Sequence, residues 1–329
     1  MTQRDRDWDE YVDEDDYERR PRRRRRLPKK SHGWLIGLLI GLGVLFMAVI
    51  VGGFLAVRSL LGPTSFPEQS EDYAEARRNF QTRLVRQGPA PQAWQHEVAP
   101  PGVQQIEYVS GGLRLKAWVD NAPPGAAAKP AVLFLHGGFA FDESDWDQVQ
   151  PFRDAGFVTM TPMLRGENGL PGAYSMFYNE VEDVLAAAEA LVKHPGVDPN
   201  RIYVSGHSVG GTLALLAAMT SNRFRAAASF SGSPDQVAWS RGQPEVVPFD
   251  STIQREFQMR SPQAFARSFK CPTRIYYGSQ EIYFRSSSQK TAQLAKSAGL
   301  DVEAISVPGD HLSMADPAMR QAIAFFGQK

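Results

Sequence analysis

The sequence predicts an α/β fold: a mostly parallel, doubly wound sheet that starts with an antiparallel hairpin, preceded by a single transmembrane helix. Three observations lead there. From residue 131 to the C-terminus, short apolar runs alternate with helix-forming stretches, as strand–helix–strand units require. Just ahead, residues 104–109 and 113–119 alternate in polarity around Ser110-Gly111-Gly112, which is a hairpin signal. Near the N-terminus, residues 34–57 form a run of 24 without a charge. That exceeds the roughly 20 apolar residues a helix needs to cross a bilayer core.

Composition narrows the function classes. The chain of 329 residues carries 36 basic and 36 acidic side chains, so no nucleic-acid partner is expected from overall charge. The balance conceals a segregation, because residues 19–30 hold nine basic residues and no acidic one. Beside a bilayer-length apolar run, such a cluster reads as a topology signal and a contact for anionic lipid headgroups. Residues 1–33 are therefore expected to be a disordered, charged cytoplasmic tail, and 34–57 an uncleaved signal anchor with Trp34 at one membrane interface. The rest of the chain then lies on the extracytoplasmic side. The lone cysteine, Cys271, excludes an intrachain disulfide and reads as a small core residue. No spacing of His and Cys points to a metal, and no cofactor is expected.

Residues 58–102 read as a linker with an amphipathic helix over 70–87. Ser70 is its candidate N-cap, Tyr73, Ala76, Phe80 and Leu84 share one face, and Gly88 is the candidate stop. Residues 103–329 then form the α/β domain. After the hairpin come strands over 131–135 and 157–163, and a helix over 174–194. Next are a strand over 202–205 and a helix over 212–219, then a strand over 225–231. Residues 235–270 form a mixed excursion, and strands over 273–277 and 302–307 precede helices over 286–298 and 314–326.

The chemistry concentrates where strands end. Gly206-His207-Ser208-Val209-Gly210 fits G-x-S-x-G, with a strand before it and a helix after it. That context places a serine on a sharp, strained turn at a helix N-terminus, where free N–H groups favour developing negative charge. A serine hydroxyl needs a base, and the base needs an orienting acid. His311 follows the strand over 302–307 and is the candidate base. Glu281 follows the strand over 273–277 and is the candidate acid, with Asp235, beyond the preceding strand, as the alternative. A tetrahedral oxyanion needs donors already in place. Val209 offers one backbone N–H; Gly138 or Phe139, in His136-Gly137-Gly138-Phe139 after the first parallel strand, offers the second.

These motifs, in the order Ser208, Glu281, His311, resemble the α/β-hydrolase superfamily over about residues 103–329. Residues 198–211, with Leu164-Arg165-Gly166 and Asn168-Gly169, are similar to the catalytic domain of the prolyl oligopeptidase-like family, and the elbow also resembles dienelactone-hydrolase-like esterases. The resemblance implies cofactor-free hydrolysis of a small acyl ester or a peptide through an acyl-enzyme. Two features depart from the oligopeptidases: the acid is Glu281 where Asp is usual, and residues 58–102 are too short to hold a β-propeller gate. A membrane-anchored carboxylesterase is therefore the first expectation. A peptidase without a propeller is the second, and a non-catalytic hydrolase-fold binding module the third.

Overall fold

Apolar runs covered on both faces become the centre of the sheet. In the computed structural model, which describes residues 69–122, 125 and 127–329, eight strands form one sheet. They are β1 (Val103–Ser110), β2 (Leu113–Asp120), β3 (Lys129–Leu135), β4 (Val158–Pro162), β5 (Val197–His207), β6 (Ala226–Phe230), β7 (Thr273–Gly278) and β8 (Val302–Val307). Their spatial order is β1-β2-β4-β3-β5-β6-β7-β8. The β1–β2 and β2–β4 pairs are antiparallel and every later pair is parallel. The anchor at 34–57 and the tail at 1–33 lie outside the described residues. Among the described residues no helix is long and apolar enough to cross a membrane.

Alternation along β3 builds two cores. Leu133 and Leu135 join one cluster, while Val132 and Phe134 join the other. On the first face pack α4 (Glu180–Val192) and α5 (Val209–Thr220), with Val184, Leu191, Leu213 and Leu216 fully covered or nearly so. On the second pack α3 (Gln150–Asp154) and α9 (Ala315–Phe326), through Phe152, Met319 and Phe326. Burying a large apolar side chain is worth about 1.5–3 kcal/mol, so these layers dominate stability. Successive strands leave β3 and β5 in opposite directions across the sheet, which makes their carboxyl ends the switch point where an α/β sheet opens a crevice.

Several boundaries differ from the sequence expectation, each for a physical reason. The helix expected over 70–87 is only α1 (Tyr73–Asn79), capped by Asp72 rather than Ser70. Tyr73 and Ala76 are buried as expected, and the Tyr73 hydroxyl donates to the Met259 carbonyl at 2.7 Å. After Phe80 the backbone finds partners elsewhere. Arg83 N–H donates to Glu256 at 2.8 Å, and the N–H groups of Val85 and Arg86 both donate to the Pro248 carbonyl. Tertiary hydrogen bonds thus override the helical periodicity. Residues 174–179 are not helical, because Met176 and Phe177 take φ of 54° and 72° and turn the chain. Buried Glu180 then accepts from the Ser175 N–H and hydroxyl, both at 2.6 Å. The stretch between β3 and β4 contains α2 (Glu143–Gln148) and α3, two helices too short to carry a periodic sequence pattern. The excursion over 235–270 holds two short α-helices, α6 (Gln236–Ser240) and α7 (Gln254–Gln258), and 3₁₀ turns at Pro244–Val246 and Pro262–Ser268. α8 spans Ile282–Ser297, four residues longer at its start than its sequence pattern.

One contact makes the elbow possible. A Cβ on Gly210 would stand 2.0 Å from the Leu135 carbonyl oxygen, which is a backbone atom at the end of a central strand and has nowhere to move. Gly210→Ala should therefore cost about 3 kcal/mol or more. Urea unfolding followed by fluorescence measures it, and a loss under about 0.5 kcal/mol would contradict the close approach.

Candidate active site

Ser208 follows β5 and precedes α5 in an unusual conformation, φ 55° and ψ −114°. A residue with a Cβ is held there only when its surroundings fix it. Here the Ser208 N–H donates to the Phe230 carbonyl at 2.8 Å, tying the turn to the end of β6. The serine sits above the sheet at the first turn of a 12-residue helix, where the unpaired N–H groups point.

His311, in the loop between β8 and α9, reaches both neighbours. Its Nε2 lies 2.9 Å from Ser208 Oγ and its Nδ1 lies 2.6 Å from Glu281 Oε1. A carboxylate only accepts, so Nδ1 carries the proton and Nε2 presents a lone pair to the serine hydroxyl. Glu281, directly before α8, is buried and triply held. Besides His311, its Oε2 accepts from the Ser231 hydroxyl at 2.5 Å and from the Gly278 N–H at 2.7 Å. Burial by itself would raise the pKa of this carboxyl, but these hydrogen bonds and the facing imidazole bring it below the ordinary glutamate range. Phe284 stacks on the His311 ring with centroids 5.4 Å apart.

The structure therefore brings Ser208, His311 and Glu281 together and leaves Asp235 out. Asp235 instead caps α6, accepting from the Val237 and Ala238 N–H groups at 3.1 and 3.2 Å. It faces a separate cavity with Tyr283 and Lys290, and burial raises its pKa. Asp310, the neighbour of His311, turns back to cap its own loop through Leu312 and Ser313.

Ser208, Val209, Gly138, Phe139 and His311 line one cavity of about 490 Å³, together with Trp239 and Phe284. Its apolar wall is an aromatic cluster. Phe139 meets Tyr174, Phe177 and Trp239 with centroids 5.2, 6.5 and 6.2 Å apart. The positive-φ turn at Met176 and Phe177 is what carries Phe177 here. The loop bearing Gly138 and Phe139 is held from behind. His136 Nε2 lies 3.0 Å from Glu167 and Nδ1 lies 2.9 Å from the Gly137 carbonyl. Both partners only accept, so both ring nitrogens must donate and the ring is a cation. Burial opposes that charge, but the Glu167 carboxylate outweighs it and lifts the pKa to about 10. Glu167 and Asn168 belong to the segment that Arg165 anchors by a two-pronged ion pair with buried Asp183, at 2.7 and 2.9 Å.

The roles of four residues near the triad are not written in the sequence pattern. Ser231 stands one position past the end of β6, and that strand-end position is its only sequence signal. His207 donates from Nε2 to the His311 carbonyl at 2.8 Å, and burial lowers its pKa. Glu167 had no signal beyond its position in the Arg-Gly loop. Gln92 had none at all, since it lies in an irregular proline-containing stretch.

Comparison with known proteins agrees with the fold. Residues 143–268 match the model of the prolyl oligopeptidase family. A Bacillus subtilis (strain 168) protein named Uncharacterized peptidase YtmA is 27% identical over 197 residues, covering 54% of this chain and 72% of its own. A puromycin-hydrolyzing peptidase of Mycobacterium tuberculosis superposes with a TM-score of 0.60 at 24% identity, covering 71% of this chain and 40% of that one. An esterase of Pyrobaculum calidifontis superposes with a TM-score of 0.53 at 20% identity, covering 68% and 84%. The chain thus spans less than half of the mycobacterial peptidase, and the two structural likenesses are likenesses of fold. The chain is an α/β-hydrolase-fold serine hydrolase.

Proposed function

We propose that this serine hydrolase cleaves small carboxylic esters through an acyl-enzyme, using Ser208, His311 and Glu281. Ser208 Oγ attacks the acyl carbonyl as its proton passes to His311 Nε2, and Glu281 holds the imidazole in the attacking tautomer and balances the imidazolium. The N–H groups of Val209 and Phe139 receive the oxyanion. Collapse expels the alcohol, which takes the proton from His311, and water repeats the sequence to release the acid. The observation carrying this reading is the unbroken relay of 2.9 and 2.6 Å at the edge of an aromatic-walled cavity. The aromatic wall suits an apolar acyl group, since such rings bury area without unmet polar demands.

A second reading, hydrolysis of peptide-like amides, draws on the match to the prolyl oligopeptidase model and on Glu245, a carboxylate at the same cavity that suits a substrate amine. We further propose that residues 34–57 anchor the enzyme with its catalytic domain outside the cytoplasm. The support is the uncharged run of 24 residues that follows nine basic ones.

Full-length protein in membranes, assayed on p-nitrophenyl butyrate and aminoacyl p-nitroanilides, tests the first two readings. A kcat/KM at least about a hundredfold higher on the ester, beyond its intrinsic lability, supports the esterase, and the reverse order supports the peptidase. Release of the protein by alkaline carbonate wash would count against the anchor, as would cleavage of the catalytic domain by protease added to the cytoplasmic face.

A further inference from the structure

Gln92 comes from the irregular chain between α1 and β1, and it is solvent-exposed. Even so, it is an active-site residue by position. Its side-chain Oε1 accepts the Phe139 N–H at 2.7 Å, and Gln92 lines the same cavity as Ser208, Val209 and His311. The fit is close, because a Cβ on Gly138, at φ +67°, would stand 2.6 Å from the same oxygen. The chain carrying it is tethered on both sides. Upstream, Tyr174 N–H donates to the Gly88 carbonyl at 3.0 Å and Ala90 N–H to the Gly166 carbonyl at 2.9 Å. Downstream, the Trp94 indole lies against Gly169, so near that a Cβ there would meet it at 2.8 Å.

We propose that Gln92 occupies the oxyanion donor of Phe139 in the resting enzyme and yields it to the substrate, so that the segment ahead of the hydrolase domain sets the apparent substrate affinity. The inference rests on the reading that the Phe139 N–H is an oxyanion donor. An amide oxygen is a neutral acceptor of the same kind as an acyl carbonyl, so the two compete for one N–H. The competition is uneven along the reaction. A charge-assisted hydrogen bond is roughly twice as strong as a neutral one, so the oxyanion displaces the amide more easily than the ground-state carbonyl does. Only enzyme with the donor vacated accepts substrate productively, which raises the apparent KM by the inverse of that fraction. There is room for the side chain to leave. Gln92 is also a wall of a second cavity, of about 540 Å³, bounded by Trp94, Phe141 and Asp142. Rotation of the side chain into that space vacates the donor while Ala90 and Trp94 keep their places.

The opposite role, in which the Gln92 amide donates to the oxyanion itself, predicts the opposite sign. The test is steady-state ester hydrolysis by the full-length wild type, Gln92→Ala and Gln92→Glu, each standardised by fluorophosphonate titration of Ser208. The expected result for Gln92→Ala is a kcat/KM about three- to tenfold higher, carried mainly by a lower KM. Gln92→Glu places a carboxylate at the donor, so its kcat/KM relative to wild type should fall as pH rises through the introduced carboxyl's titration; taking the ratio cancels the titration of His311. A Gln92→Ala enzyme that labels normally but is unchanged or slower overturns the role of Gln92 and leaves the triad standing. Wild-type protein that does not label would instead overturn the catalytic reading, and the role of Gln92 with it.

Discussion

Ser208→Ala is expected to lower kcat on any acyl ester on the order of 10⁶-fold, and His311→Ala by a similar factor. The double variant should be little worse than either one, because nucleophile and base act as a unit. The relay that predicts this is the 2.9 Å contact between Ser208 Oγ and His311 Nε2. Single-turnover kinetics with a p-nitrophenyl ester measures it, and a residual rate within about a hundredfold of the parent would end the assignment. Ser208 also allows a paired stability measurement. At φ 55° its Cβ is strained. Ser208→Gly should therefore be as inactive as the alanine variant yet more stable than the parent by about 1 kcal/mol. A glycine variant less stable than wild type would mean that the elbow stores no strain.

Glu281→Gln should be nearly as damaging, on the order of 10⁴-fold in kcat, because a neutral amide no longer requires His311 to carry its proton on Nδ1. The fold should survive, since the amide oxygen can still accept from the Gly278 N–H and Ser231 hydroxyl that now meet Oε2. A kcat within tenfold of wild type would show that Glu281 is not the orienting acid. The same residue has a linked effect on stability. Its pKa is lowered in the folded state, so the folded carboxylate is favoured. That contribution is present above the ordinary glutamate range and is lost as pH falls through the folded value. The acid limb of a stability–pH curve should therefore flatten in Glu281→Gln.

The parts of this site that were legible in the sequence are those fixed by local chain geometry. Ser208 announces itself because an elbow needs small residues at set positions beside a strand and a helix. His311 and Glu281 are legible as candidates because side chains that gather at the carboxyl edge of such a sheet sit just past strand ends, and both do. The sheet was legible for the same reason, since β3 is uniformly apolar where both of its faces are covered. What could not be read depends on which distant segments meet. The helical face of Tyr73, Ala76, Phe80 and Leu84 is genuine for its first two members. Beyond them Glu256 and the Pro248 carbonyl, more than 160 positions along the chain, capture the backbone instead. Asp235 and Glu281 looked alike as acids at strand ends. Only the third dimension shows one capping α6 and the other facing His311. Gln92 carries no pattern at all, and its placement comes entirely from the tethers on either side of it.

The three imidazoles around the site define a proton inventory. His136 holds two protons, because both of its nitrogens meet acceptors. His207 holds one, on the nitrogen that faces the His311 carbonyl, and burial keeps a second away. Neither has reason to change during turnover, although the His207 ring lies only 4.9 Å from that of His311. In the proposed cycle His311 then carries two protons in turn: the Ser208 proton, which leaves with the alcohol, and a water proton, which returns to Ser208. A second cation beside His311 would repel the imidazolium of the proposed reaction; a neutral His207 lets that charge appear against Glu281 alone.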